Sequence, residues 1–117
     1  MVTLNHIVRW REAAPVEALP GLVRRTLGQT GDMMVVEFRS EAGVEVPLHS
    51  HPNQQVGYVV SGEIAITIGG QTWTCKPGDS YSIPGGVEHG ALFPVESVVI
   101  DVFSPPREDY QEPGYSG

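Results

Sequence analysis

From Val44 onward the apolar positions come in short runs, several of them alternating with polar residues and each closed by glycine or proline. EIAITI is the cleanest of these. Ile64, Ile66 and Ile68 fall on one face of an extended chain, and Gly69-Gly70 suits the two-residue loop of a hairpin that returns through QTWTC. The same period of two predicts strands over 55–61, 63–68, 71–76, 79–83, 87–93 and 98–103, divided by Ser61-Gly62, Gly69-Gly70, Pro77-Gly78 and Pro84-Gly85-Gly86. Upstream, MMVVEFR at 33–39 is a stronger strand and GLVRRTL at 21–27 a weaker one. No helical period persists for ten residues after Gly21, so the pattern predicts an all-β protein with a small closed or sandwiched sheet, best described as a jelly roll. Residues 1–20 are polar, interrupted by Pro15 and Pro20, and read as an N-terminal arm laid over the domain. The expected organisation is a single domain over 1–117, with the arm at 1–20, the barrel at 21–104 and a C-terminal tail at 105–117.

Composition narrows the possible partners. The 117 residues suffice for one domain with a modest core, and 40% of them are hydrophobic, which excludes a disordered chain. Fourteen acidic against seven basic residues give a net charge of −7, the wrong sign for phosphate backbones or anionic lipid. Neither nucleic acid nor a membrane is expected as a partner. The single cysteine, Cys75, cannot form an intrachain disulfide and reads as a small packing residue. The leader lacks the apolar core of a signal peptide, and these two features together point to the cytoplasm.

The chemistry is concentrated in GVEVPLHSHPNQQVGYVVSG. On a strand, His49 and His51 would point to the same side. Pro52-Asn53 breaks the strand, so that Gln55 begins the next one and can turn its amide oxygen toward the same point. His89 follows the Pro84-Gly85-Gly86 reversal on a later strand. A lone His-x-His is often only a hydrogen-bonded surface pair. Here three of the chain's four histidines lie on short strands beside Gly or Pro turns, which favours a site for one divalent ion. Imidazole and amide donors accept zinc, nickel, iron or manganese alike. Near the C-terminus Asp101 interrupts the apolar run VVIDVF and shares a strand face with Phe103. Arg107 follows Pro105-Pro106, and its planar fork suits a carboxylate. Asp101 is either an acid–base group or a buried partner of Arg107. Phe103 is either a platform for a sugar ring or core.

Two spacings resemble the motifs of the cupin family: Gly43-x5-His49-x-His51-x3-Gln55-x6-Gly62, and Gly78-x5-Pro84-x-Gly86-x2-His89. The resemblance implies a double-stranded β-helix, the cupin jelly-roll barrel, with a metal inside. Two positions depart from the usual pattern, Gln55 where the family has Glu and Phe93 where it has Asn. Gln55 is then either a ligand or a group that orients substrate or water. The tail from Asp101 to Tyr110, DVFSPPREDY, is similar to that of the KdgF-type cupins of pectin and alginate breakdown, as are HSHPNQQVGYVVSGE and KPGDSYSIPGGVEH. That likeness implies a metal-dependent isomerase of uronate metabolism, converting 4,5-unsaturated monouronates to the linear ketonised form. The ion would lie on His49, His51, His89 and Gln55, with Asp101 moving a proton, Arg107 holding the carboxylate of a small anionic sugar, and Phe103 against the ring. A three-histidine iron dioxygenase and a non-catalytic sugar-binding cupin are the alternatives. The arm and the scarcity of helices to cover sheet edges favour a homodimer, through strand exchange or sheet extension.

Overall fold

In a computed structural model, residues 6–111 are described. They form β1 (Val16–Leu19), β2 (Leu22–Gln29), β3 (Met34–Ser40), β4 (Val44–His49), β5 (Gln54–Ser61), β6 (Ile64–Ile68), β7 (Gln71–Cys75), β8 (Ser80–Ile83), β9 (His89–Phe93) and β10 (Ser97–Ser104), with single 3-10 turns at Trp10–Glu12 and Glu108–Tyr110. Two antiparallel sheets face each other, one ordered β1-β2-β3-β10-β5-β8 and the other β4-β9-β6-β7. Among the described residues no helix is long and apolar enough to cross a membrane.

The hairpin read from EIAITI is present, with Ile68 paired to Gln71 and Ile64 to Cys75. Its inward isoleucines meet Val59, Val99 and Phe93 between the sheets. Burying such a set removes apolar surface from water at roughly 25 cal/mol per Å², the main force closing the sandwich. Cys75 is buried in this cluster. Met34, Val36 and Phe103 form a second cluster, with Phe38 and Tyr110 packed against it. On β10, Ser97, Val99, Asp101 and Phe103 point inward and are buried, while the residues between them are half-exposed. The apolar interruption at Asp101 therefore faces the interior.

Two expectations need correction. The residues expected to form an arm include β1, which pairs with β2 through Val16–Arg24 and Leu19–Leu22 and makes the edge of the larger sheet. VEAL has little alternation of its own, and the open edge of β2 supplies the hydrogen-bond ladder that makes it a strand. Ahead of it, Trp10 lies on the outer face of that sheet, donating its indole N–H to Glu37 Oε1 at 2.7 Å beneath the guanidinium of Arg25. The remaining ends of the expected arm and tail, 1–5 and 112–117, lie outside the described residues. The second correction concerns His51, which is not on a strand: β4 ends at His49, and Pro52 prevents its continuation.

Candidate functional site

Strict alternation along β4 would turn Val44, Val46 and then Leu48 inward. A β-bulge between Val46 and His49 adds one residue, so Leu48 is 56% exposed and His49 turns into the barrel opposite His89 of β9. Pro47, which has no N–H to give to a ladder, sits in this bulge on an edge strand. His51 reaches the same place from the loop that follows. That loop is tied to the 84–86 turn by the Gly86 N–H, which donates to the His51 carbonyl at 2.8 Å. Gly85 is required there, because a Cβ would stand 2.3 Å from the Pro52 carbonyl oxygen.

The three imidazoles converge. Ring centroids are 4.3 Å apart for His49 and His89, 4.8 Å for His51 and His89, and 5.8 Å for His49 and His51. One nitrogen from each lies within 4.8 Å of the others. Every Nδ1 is engaged by a backbone carbonyl, at Pro47 (2.9 Å), Asn53 (3.0 Å) and Val87 (2.9 Å). A carbonyl only accepts, so each Nδ1 carries a hydrogen, and in the neutral ring the lone pair is on Nε2. His89 Nε2 is buried and has no hydrogen-bond partner. Burial lowers the pKa of both His51 and His89, and the nearby Arg107 cation adds to this, so both rings favour the neutral form that binds metals.

Gln55 enters from β5, where Gln55, Gly57 and Val59 face the interior. Its Oε1 stands 3.1 Å from His51 Nε2. The amide also hydrogen-bonds Asp101, which fixes the NH₂ toward the carboxylate and the oxygen toward the histidines. Two lone-pair atoms thus face each other beside an orphaned imidazole nitrogen. A cation among them would resolve both features, and the donor set fits one divalent ion.

Asp101 is fully buried, and burial pushes its pKa up from 3.8 to about 6, against hydrogen bonds from Tyr81 and Gln55 that pull it down. Its carboxylate accepts from the Tyr81 hydroxyl at 2.8 Å. The possible structural pair with Arg107 is not formed. Arg107 instead gives Nε and Nη2 to Asp109, at 3.3 and 2.9 Å, and Nη1 to the Tyr110 hydroxyl at 3.1 Å. Phe103 lies at the cavity wall between His51 (ring centroids 5.7 Å) and Tyr110 (5.6 Å), with the Arg107 guanidinium 5.5 Å from its centroid. It therefore both belongs to a core cluster and lines the site.

One cavity of about 280 Å³ is lined by His49, His89, Gln55, Asp101, Phe103, Arg107 and Tyr110. The lining also includes Ala18 and Leu19 of β1, within the segment expected to form an arm. Tyr81 and Tyr110 were also missed. Tyr81 alternates with Ile83 as an inward residue of a short strand, but its contact with Asp101 depends on strand pairing that spacing does not reveal.

A three-histidine cluster inside a jelly-roll barrel is a cupin arrangement, and the cupin domain family model matches residues 30–103; the chain belongs to that family. Among its relatives is the pectin degradation protein KdgF of Dickeya dadantii (strain 3937), 33% identical over 77% of this chain and 84% of the relative. Two solved structures superpose closely. The KdgF of a Halomonas species has a TM-score of 0.86 and 31% identity, over 92% of this chain and 99% of that one. An RmlC-like cupin from Shewanella frigidimarina has a TM-score of 0.87 and 34% identity, over 92% and 96%.

Proposed function

We propose that this cupin is a metal-dependent isomerase that opens 4,5-unsaturated monouronates to their linear ketonised form. One observation carries the reading. A buried carboxylate, Asp101, is joined through the Gln55 amide to a cluster of three imidazoles, with the Arg107 guanidinium in the wall of the same cavity. The similarity to two KdgF proteins supports the choice of substrate.

The reaction is balanced without any co-reactant. The C1 hydroxyl loses its proton, the bond from C1 to the ring oxygen opens to give an aldehyde, the ring oxygen becomes an enol on C5, and C4 takes a proton as C5 becomes a ketone. A divalent ion held by His49, His51, His89 and Gln55 supplies a Lewis acid for the oxyanion character that develops on the substrate. Three imidazoles and an amide are all neutral, so in a protein of net charge −7 this end of the cavity still favours an anion. Asp101, with a pKa of about 6, is largely ionised at neutral pH, and takes a proton from substrate oxygen and returns one to carbon. Arg107 holds the uronate carboxylate through its guanidinium, at the Nε and Nη2 edge that the exposed Asp109 engages in the free protein. Phe103 faces the apolar side of the sugar. A cavity near the lower bound of about 300 Å³ for small-molecule sites suits a monosaccharide better than a chain.

The test is the ultraviolet absorbance of an unsaturated monouronate, recorded beside an oxygen electrode. The conjugated chromophore should disappear faster than in buffer, with dissolved oxygen constant. Decay at the buffer rate would overturn the reading, and stoichiometric oxygen uptake would transfer the site to dioxygenase chemistry.

A further inference from the structure

We infer that Tyr81 is a positioning residue for this reaction: its hydroxyl reaches over Gly57 to hold one oxygen of Asp101, leaving the other to carry the proton. The inference rests on the reaction proposed above and extends it to a residue on a different strand. Three strands are involved. Asp101 of β10 pairs with Gly57 of β5, and Gly57 pairs in turn with Tyr81 of β8. Neighbouring strands lie about 4.8 Å apart, so the outer two of this row are normally separated by the side chain between them. Here that side chain is missing. A Cβ on residue 57 would stand 2.0 Å from the Tyr81 ring and 2.4 Å from Asp101 Oδ1, so the tyrosine occupies the space that the glycine leaves.

The bond that results is buried. Tyr81 is 6% exposed, and its hydroxyl donates to Asp101 Oδ1 at 2.8 Å. Burial raises the phenol pKa well above its ordinary value, and the charge of Asp101 adds to the rise, so the hydroxyl keeps its hydrogen and remains a donor. Gln55 approaches the same carboxylate from the metal side. Both Tyr81 and Asp101 line the cavity. A carboxylate held from two sides cannot rotate, and orientation of a proton carrier is a large part of its catalytic effect. Burial alone explains why Tyr81 is an aromatic residue. It does not explain a hydroxyl aimed across a glycine at the one buried aspartate.

The experiment is a double-mutant cycle of Tyr81→Phe and Asp101→Asn on metal-loaded protein, with kcat and KM for the unsaturated uronate, melting temperature and metal content measured for each variant. Tyr81→Phe keeps the ring. It should lower kcat about tenfold or more, change KM by less than about twofold, and leave the metal content at the parent level. In the Asp101→Asn background the same change should have no further effect on kcat, because Tyr81 acts through Asp101. Should Tyr81→Phe turn over normally per folded molecule, or lower kcat equally in both backgrounds, the positioning role is wrong although the reaction stands. If the parent protein itself fails to accelerate the reaction, the function and this inference fall together. Gly57→Ala provides an independent check: with metal content retained, it should reproduce the kcat loss by displacing the tyrosine, and full turnover in that variant would contradict the geometry.

Discussion

Asp101 carries a cost that its position makes measurable. Its pKa in the folded protein is about 6 against 3.8 unperturbed, so the folded chain binds the proton more tightly than the unfolded chain does. Stability from this group is therefore fully present below pH 3.8 and is lost as pH rises through 6. A shift of about two units corresponds to about 3 kcal/mol. Asn at this position removes the buried charge while its carbonyl can still accept from Tyr81. In chelator, Asp101→Asn should therefore melt above the parent at pH 8, with the advantage vanishing near pH 4, while the kcat of the metal-loaded variant falls roughly a hundredfold below that of the metal-loaded parent, as expected for a lost acid–base group. Thermal melts of the two proteins across that range check this, and parallel curves would mean that the Asp101 carboxyl has the same pKa folded and unfolded, so that burial does not raise it. Sequence alone singled out Asp101, because an acid inside VVIDVF breaks the apolar run. Tyr81 left no comparable signal: SYSI needs only an inward aromatic there, and what the hydroxyl reaches depends on two other strands.

At the level of elements, β4 and the C-terminal turn show where local patterns mislead. His49 and His51 do converge, but not because two residues alternate along one strand. The bulge at Pro47 resets the phase of β4, and His51 is placed by the following loop, whose Asn53 donates its side-chain amide to the Pro105 carbonyl at 2.7 Å. The C-terminal segment thus braces the histidine loop as well as supplying Arg107. Tyr110 is held there between two guanidiniums, 4.4 Å from Arg24 and 4.1 Å from Arg107, with its carbonyl accepting from the Thr26 hydroxyl. Within this segment Asp109 competes for the edge of Arg107 that a substrate carboxylate would use, and its side chain is 62% exposed. An exposed pair is worth at most about 1 kcal/mol. Arg107→Ala should raise KM at least about tenfold with little change in kcat, whereas Asp109→Asn should lower KM by no more than about fivefold. Steady-state kinetics on both variants distinguish these, and a raised KM in Asp109→Asn would make Asp109 a brace for Arg107 instead of a competitor.

Across the whole molecule, most of the strand order from Met34 to Ser104 was legible because hairpin punctuation and a period of two are local signals. β1 was not, since its ladder comes from β2. The chain as a whole is acidic, yet it brings the imidazoles of His49 and His89, the Gln55 amide and the Arg107 guanidinium into the lining of one cavity. This contrast between an acidic exterior and an anion-seeking interior is what the proposed chemistry requires, and it depends on a divalent ion at His49, His51, His89 and Gln55. The most direct measurement is therefore turnover of an unsaturated monouronate by protein stripped with a chelator and then titrated with a divalent metal. Activity should be lost on stripping and return in proportion to added ion, reaching its plateau at about one equivalent per chain. Metal-free protein, verified by elemental analysis, that opens the sugar at the untreated rate would contradict the account.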